Sequence, residues 1–374
     1  MPRLIALDLP SGRQLLDAIE RHWASGHAVL PLDQRMAPSV RRALASSLGA
    51  DELVTSNETI ALASTSAGSL APLESGDALV IATSGTTGVP RGVVHTFDSL
   101  NAHARMVGAR LGLTANDHWW LCLPMAHIGG FGVFARARLH QSVLSYSTEV
   151  NDDTIAAALR NGATHTSIVP TLLARHEFSA WRLVLVGGSR SGGLPDNAVA
   201  TYGLTETGGG VVYDGVALDG CAVDIRDGEI FLRTPSLART FRHAPLPVRD
   251  GWLATGDLGT LVDGRLRIEG RRDDLIITGG NKVWPHVVEQ RLREHPMVAD
   301  VAVGGVPDPE WGSVVSAWVV VRDRANPPTI EMLRNHVKET LASYSAPRRL
   351  TIVETIPRGP LGKVLMSELR ARLI

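Results

Sequence analysis

Short, almost wholly apolar runs recur through the first half of the chain, at residues 28–32, 78–83, 119–123, 166–169 and 183–186. A strand with one wet face alternates apolar and polar residues. These runs do not alternate, so both of their faces must be covered, as in a parallel sheet flanked by helices. The intervening segments have helical periodicity; Leu15, Leu16, Ile19 and Trp23, for example, fall on one face of a helix. From 211 to about 268 the texture changes to short alternating strands broken at Asp227-Gly228 and Asp263-Gly264, which predicts an antiparallel subdomain. A second unit begins near 271–282 and carries strand-like runs at 301–306 and 314–321 and a helix over 330–341. The fold class expected is therefore α/β. A large N-terminal domain over 1–271 should hold mostly parallel sheets plus the antiparallel subdomain, and a small α+β C-terminal domain over 272–374 should follow a short hinge at about 273.

A chain of 374 residues exceeds one ordinary core, which agrees with two domains. The formal charge of -1, without Lys and Arg clusters interleaved with aromatics, argues against a nucleic-acid partner. The cysteines, Cys122 and Cys221, lie far apart with no CxxC spacing, so neither a disulfide framework nor a zinc site is expected, and a reducing cytoplasm fits. Asp8 interrupts the first apolar run before it reaches signal-peptide length. No apolar stretch approaches the roughly 20 residues of a membrane span.

The densest chemistry is Thr83-Ser84-Gly85-Thr86-Thr87-Gly88-Val89-Pro90-Arg91-Gly92, directly after the apolar run at 78–83. Gly85, Gly88 and Gly92 permit close backbone approach, the hydroxyls of Thr83, Ser84, Thr86 and Thr87 donate hydrogen bonds, and Arg91 adds a permanent charge. Such a loop suits phosphate oxygens. It is not a P-loop, which requires Gly-x-x-x-x-Gly-Lys followed by Ser or Thr.

Further on come Tyr202-Gly203-Leu204-Thr205-Glu206-Thr207, Thr255-Gly256-Asp257, Gly270-Arg271-Arg272-Asp273-Asp274 and Pro357-Arg358-Gly359-Pro360-Leu361-Gly362-Lys363. In this order and spacing the motifs resemble those of the adenylate-forming superfamily of acyl-CoA ligases, adenylation domains and luciferases, over nearly the whole chain from about Ala28. The resemblance implies ATP and coenzyme A as co-substrates, with Mg²⁺. Tyr202 would lie against adenine, with Gly188 and Ser189 opposite and Thr205 in the same nucleotide set. Glu206, a hard oxygen donor, would hold Mg²⁺. Asp257 would grip the ribose hydroxyls, and Arg271 would reach the ribose or phosphates. Lys363 would contact the acid carboxylate and the α-phosphate, acting with Glu206 and Arg91 in adenylation. Because the pantetheine thiol needs the space Lys363 occupies, the small domain would be mobile, rotating about Asp273 to bring Gly279, Gly280 and Lys282 in for the coenzyme A step.

Pro124-Met125-Ala126-His127-Ile128-Gly129-Gly130 followed by Arg136 resembles the pattern of o-succinylbenzoate–CoA ligases of menaquinone synthesis. That acid has two carboxylates, and the one not activated needs a partner if it is buried. Arg136, two helical turns beyond Gly129, is the candidate, while His127 and Gly130 would line the pocket and His127 could bond the substrate. The expected partners are thus a small acid, ATP and coenzyme A, with a homodimer suggested by similar ligases. Other readings are a ligase for a different aryl or acyl acid, an enzyme that loads a carrier protein, and a nonenzymatic adenylate-binding protein; the last should lack Lys363 or Glu206, and both are present. The sequence departs from the superfamily pattern at Arg91, where lysine is usual, in a short stretch between Gly188 and Tyr202, and in a Gly-Gly-Asn-Lys loop without an acid before Asn281.

Overall fold

The computed structural model describes residues 1–62, 70–83, 90–188, 194–358 and 364–372. Two compact units result: Met1–Thr255 with Thr260–Arg267, and Gly256–Gly259 with Ile268–Ile374. In chain order the first unit begins β1 (Leu4–Asp8), α1 (Arg13–Ala24), β2 (Ala28–Pro31), α2 (Pro38–Ser47), β3 (Glu52–Thr55), β4 (Thr59–Ala61), β5 (Asp77–Thr83), β6 (Arg91–Thr96) and α3 (Phe97–Leu111). It continues with β7 (His118–Leu121), α4 (Ile128–His140), β8 (Val143–Tyr146), α5 (Asp152–Arg160), β9 (His165–Ile168), α6 (Pro170–Leu173), β10 (Leu183–Gly187), β11 (Ala198–Leu204) and β12 (Gly209–Tyr213).

Among the described residues, two seven-stranded sheets organise this unit. One runs Thr240–Phe241, β6, β5, β2, β1, β3, β4; the other runs Val216–Ala217, β12, β11, β10, β9, β7, β8. Their centres are parallel, through β5-β2-β1-β3 and β8-β7-β9-β10-β11. The strands rich in valine, isoleucine and leucine are the expected ones, and they are covered on both faces. Ile5 and Leu7 of β1 point to one side, into a core with Leu15 and Ile19 of α1, Val107 of α3 and Phe131 of α4. Leu4 and Ala6 point to the other, with Ala45 and Leu48 beside them. The first of these cores also takes Trp119, Leu121 and Leu185 from the second sheet, so one apolar interior serves both sheets.

The antiparallel region differs from expectation at its start. Residues 211–213 lie in β12, which pairs antiparallel with β11 and, on its other side, with Val216–Ala217, so it belongs to the second sheet. Among the described residues, the separate five-stranded sheet begins only at Ala222–Arg226 and includes Glu229–Arg233, Trp252–Val262, Val248–Arg249 and, paired with Trp252–Val262, Arg265–Arg271. Alternation in a sequence predicts the kind of pairing but not which edge accepts it. The Asp227-Gly228 turn takes positive φ at both residues, 49° and 78°, the two-residue hairpin geometry that matches strand twist.

In the second unit, Val298–Asp308 and Gly312–Val321 form an antiparallel pair, with Arg349–Ile352 parallel to the latter. Val301, Val303 and Val315 pack with Val288 and Leu292 of helix Pro285–Arg293 and with Leu333 and Val337 of helix Ile330–Lys338. Ala302, Val314 and Trp318 pack with Leu369. Among the described residues no helix is long and apolar enough to cross a membrane.

Candidate active site

The hydroxyl-rich loop joins β5 to β6. Thr83 ends β5 and pairs in antiparallel register with Arg91, which starts β6. The Arg91 guanidinium lies 5.6 Å from the Phe241 ring centroid. Ser84, Gly85, Thr86, Thr87 and Gly88 lie outside the described residues, as do Ser189 and Lys363. Gly188 follows β10 at φ 70°, a left-handed angle that costs glycine little.

Tyr202 sits near the end of β11, where the pairing with β12 shifts register between Tyr202 and Gly203. A side chain at Gly203 would overlap the Gly209 carbonyl, so only glycine allows this close crossing. A single turn of 3-10 helix over Thr205–Thr207 follows and carries Glu206. The Thr207 hydroxyl accepts from the Leu204 amide at 2.9 Å and donates to the Gly209 carbonyl at 2.7 Å, which stitches the turn to β12.

In the second unit, Asp257 is largely buried and pairs with Arg271, Nε to Oδ1, at 3.1 Å. Asp273 lies in the 3-10 turn Arg272–Asp274. Gly279 and Gly280 turn the hairpin between Ile276–Thr278 and Asn281–Val283 at φ 53° and 78°, and a side chain at Gly279 would meet the Trp311 ring at 2.7 Å. Lys282 follows, exposed.

The segment from Pro124 to Arg136 gives the sharpest geometry. His127 occupies the N-cap position of α4 without a side-chain capping bond, and Gly130 lies so close to the Pro124 carbonyl that no side chain fits there. Arg136, in the same helix, is only 4 % exposed. Its Nη2 donates to the Ser167 hydroxyl at 2.9 Å, and its guanidinium carbon is 4.6 Å from the Trp119 ring centroid. Its Nε is buried without a hydrogen-bond partner, and among the described residues no carboxylate pairs with it. Burial pushes this guanidinium down from its ordinary value, and it disfavours a proton on neighbouring His103, which burial first and Arg136 second depress to about 3. A buried cation without a counter-charge is costly, typically about 3–5 kcal/mol when a partner is lost.

Sequence reasoning did not find the groups behind these residues. His127 Nε2 lies 2.9 Å from Oδ2 of Asp33, a carboxylate 4 % exposed, which also accepts from Arg35 at 2.7 Å. Burial would raise Asp33, but the bonds from His127 and Arg35 outweigh it and hold the acid well below the usual carboxylate range. Asp33 follows a buried strand by two residues, and that position was its one visible signal. Ser167 and Trp119 come from β9 and β7, neighbours in the sheet but 48 residues apart in sequence, so nothing local links them to Arg136.

Residues 33–241 match the family described as AMP-binding enzyme, and residues 287–363 match the AMP-binding enzyme C-terminal domain. A probable 2-succinylbenzoate–CoA ligase of Mycobacterium tuberculosis is 37 % identical over 318 residues, covering 77 % of this chain and 82 % of that protein. The 2-succinylbenzoate–CoA ligase of Listeria monocytogenes is 32 % identical over 362 residues, covering 86 % and 76 %. The fold is similar to that of o-succinylbenzoate CoA synthetase from Bacillus subtilis in complex with the acyl-adenylate intermediate, at a TM-score of 0.84 and 26 % identity, over 98 % of this chain and 88 % of that one. The same enzyme with ATP and magnesium ion gives 0.84 and 25 % over 98 % and 89 %.

Proposed function

Because this chain belongs to the AMP-binding enzyme family, we propose that it joins o-succinylbenzoate to coenzyme A in two steps, releasing diphosphate as the acyl-adenylate forms and AMP as the thiol displaces it. The observation that carries the substrate is Arg136: a guanidinium sealed in the first unit with an unbonded Nε and no carboxylate partner among the described residues. A dicarboxylic acid supplies the missing charge with the carboxylate that is not activated, and the bond fixes which carboxylate reacts. His127 and Gly130, at the head of the same helix, line that pocket.

For the nucleotide, the hydroxyl loop and Arg91 hold phosphates, Tyr202 with Gly188 and Ser189 flanks adenine, Thr205 belongs to the same set, and Asp257, oriented by Arg271, takes the ribose hydroxyls. Glu206 is a hard oxygen donor on a short turn, and one carboxylate with phosphate oxygens suits Mg²⁺. Mg²⁺ when bound with ATP neutralises charge on the phosphates. Lys363 adds a cation where charge develops as the carboxylate attacks phosphorus. The chain divides into an adenylation domain, 1–271, and a small domain, 272–374, that turns at Asp273 so that Gly279, Gly280 and Lys282 replace Lys363 for the thioester step. The reaction belongs to menaquinone synthesis. The same reading takes the enzyme to be cytoplasmic, in keeping with the free thiols of Cys122 and Cys221, and a homodimer, a state that sedimentation measures directly.

The test is diphosphate release with o-succinylbenzoate against its mono-acid analogue. A buried charge pair is worth about 2–5 kcal/mol on truncation, so the mono-acid should lose roughly 30-fold or more in kcat/KM; equal use of both acids overturns the substrate. Lys363→Ala should abolish adenylation while sparing thioester formation from supplied acyl-adenylate, and equal loss of both overturns the division of labour.

A further inference from the structure

The turn that presents Glu206 is held at three consecutive carbonyls. The Thr205 carbonyl accepts from His95 Nε2 at 2.7 Å, that of Glu206 from the Ala238 amide at 2.8 Å, and that of Thr207 from the Ser236 hydroxyl at 2.8 Å. The next amide after Ala238, that of Arg239, donates to the Val94 carbonyl of β6 at 2.8 Å. Strand β6, which starts at Arg91, and the Glu206 turn are therefore tied into one frame, directly through His95 and indirectly through residues 236–239.

His95 is fully buried, and burial lowers its pKa to about 4, so the ring is neutral. A carbonyl at Nε2 requires the proton there, which leaves Nδ1 as an acceptor. The Ser99 hydroxyl, 3.0 Å away on α3, fills it while accepting from the Thr96 amide at 3.1 Å. This tautomer is assigned from the network. The Ser99 hydroxyl also lies 3.0 Å from the Thr96 carbonyl, and the His95 Nε2 proton is aimed at the turn.

We propose that His95 is a positioning residue for adenylation: by donating to the Thr205 carbonyl it fixes the turn that aims the Glu206 carboxylate at the metal–triphosphate. This rests on the assignment of Glu206 given above. Losing the donor leaves the Thr205 carbonyl with the Gly208 amide, at 3.1 Å within the turn itself, and removes its tie to β6, so the turn can shift; a misplacement of about 1 Å costs on the order of 100-fold in rate.

The experiment compares His95→Leu, His95→Gln and Glu206→Gln in the full-length enzyme, reading diphosphate release against Mg²⁺ concentration, thioester formation from supplied acyl-adenylate, and the melting temperature. His95→Leu should lower adenylation by about 10- to 100-fold and raise the Mg²⁺ needed for half-saturation, with the thioester half-reaction kept within about 2-fold. His95→Gln, whose amide retains a donor, should recover most of the loss. A folded His95→Leu enzyme with unchanged Mg²⁺ dependence, or with equal loss in both half-reactions, overturns the proposal. If His95→Leu does not fold, the unaltered enzyme answers instead: with ¹⁵N-labelled histidine, Mg²⁺ and ATP should shift the His95 Nε2–H resonance, and an unmoved resonance overturns it. If Glu206→Gln leaves adenylation intact, the Glu206 assignment fails; if Glu206→Gln abolishes adenylation and His95→Leu does not impair it, only the role of His95 fails.

Discussion

Arg136 and Arg138 stand on one helix two residues apart, and a helix turns about 200° over that spacing, so their surroundings differ completely. Arg138 reaches the surface, bonded to Glu20 at 2.6 Å over the Trp23 ring. Arg136 points inward, where only neutral groups receive it among the described residues. A methionine at 136 would fill similar space without a buried charge. Arg136→Met should leave the melting temperature equal or higher, because replacing an uncompensated buried ion by an apolar side chain is often neutral or stabilising. It should cut kcat/KM for o-succinylbenzoate by roughly 30-fold or more and barely change the mono-acid; steady-state kinetics with both acids checks it. Asp33 is the opposite case, a buried anion with its partners in place. Because its folded pKa is depressed, its contribution to stability is fully present above the unfolded value of about 4, shrinks as the pH falls below that, and is gone once the pH passes the folded pKa. Asp33→Asn should therefore melt lower than the parent at pH 7 and converge with it in acid, which melting curves from pH 7 to 2 would show.

Two short elements frame the turn that carries Glu206. At the crossing of β11 and β12, Gly203 has no room for a methyl group against the Gly209 carbonyl, and neither partner is a flexible side chain. Gly203→Ala should force the strands apart, destabilise the protein by about 1–3 kcal/mol and impair adenylation more than thioester formation, since Glu206 is three residues on; chemical denaturation and the two half-reaction assays measure both effects. At the start of α3, Thr96 and Ser99 form a reciprocal cap. Ser99 also bonds His95, so the same residues that end β6 begin the helix. Thr96→Ala should cost about 1 kcal/mol, read as a lower denaturation midpoint at unchanged slope. The apolar spacing in α1 announced Leu15, Ile19 and Trp23 of its buried face, because a helical period survives in the sequence whatever it packs on; Leu16, expected with them, is only partly buried, and Ala18 completes the face. The bonds around Glu206 left no such trace: His95, Ser236 and Ala238 lie 110 residues before and about 30 after the turn they hold.

At the scale of the whole chain, the second compact unit takes Gly256–Gly259 and then the chain from Ile268 onward, which includes the 3-10 turn that carries Asp273. Proline at 273 restricts the backbone of that turn, so Asp273→Pro should keep adenylation and slow thioester formation from supplied acyl-adenylate; an unchanged second half-reaction counts against a hinge there. Local chemistry was enough to announce the α/β architecture and the mostly parallel sheets, because periodicity and glycine turns are properties of neighbours in the chain. Where β12 pairs, which arginine of α4 is sealed inward against Trp119 and Ser167, and what grips His127 and Glu206 were settled by folding alone. Those facts depend on strands and loops distant in sequence arriving within a few ångströms, and the cost of a buried charge or carbonyl exists only once water has been excluded around it.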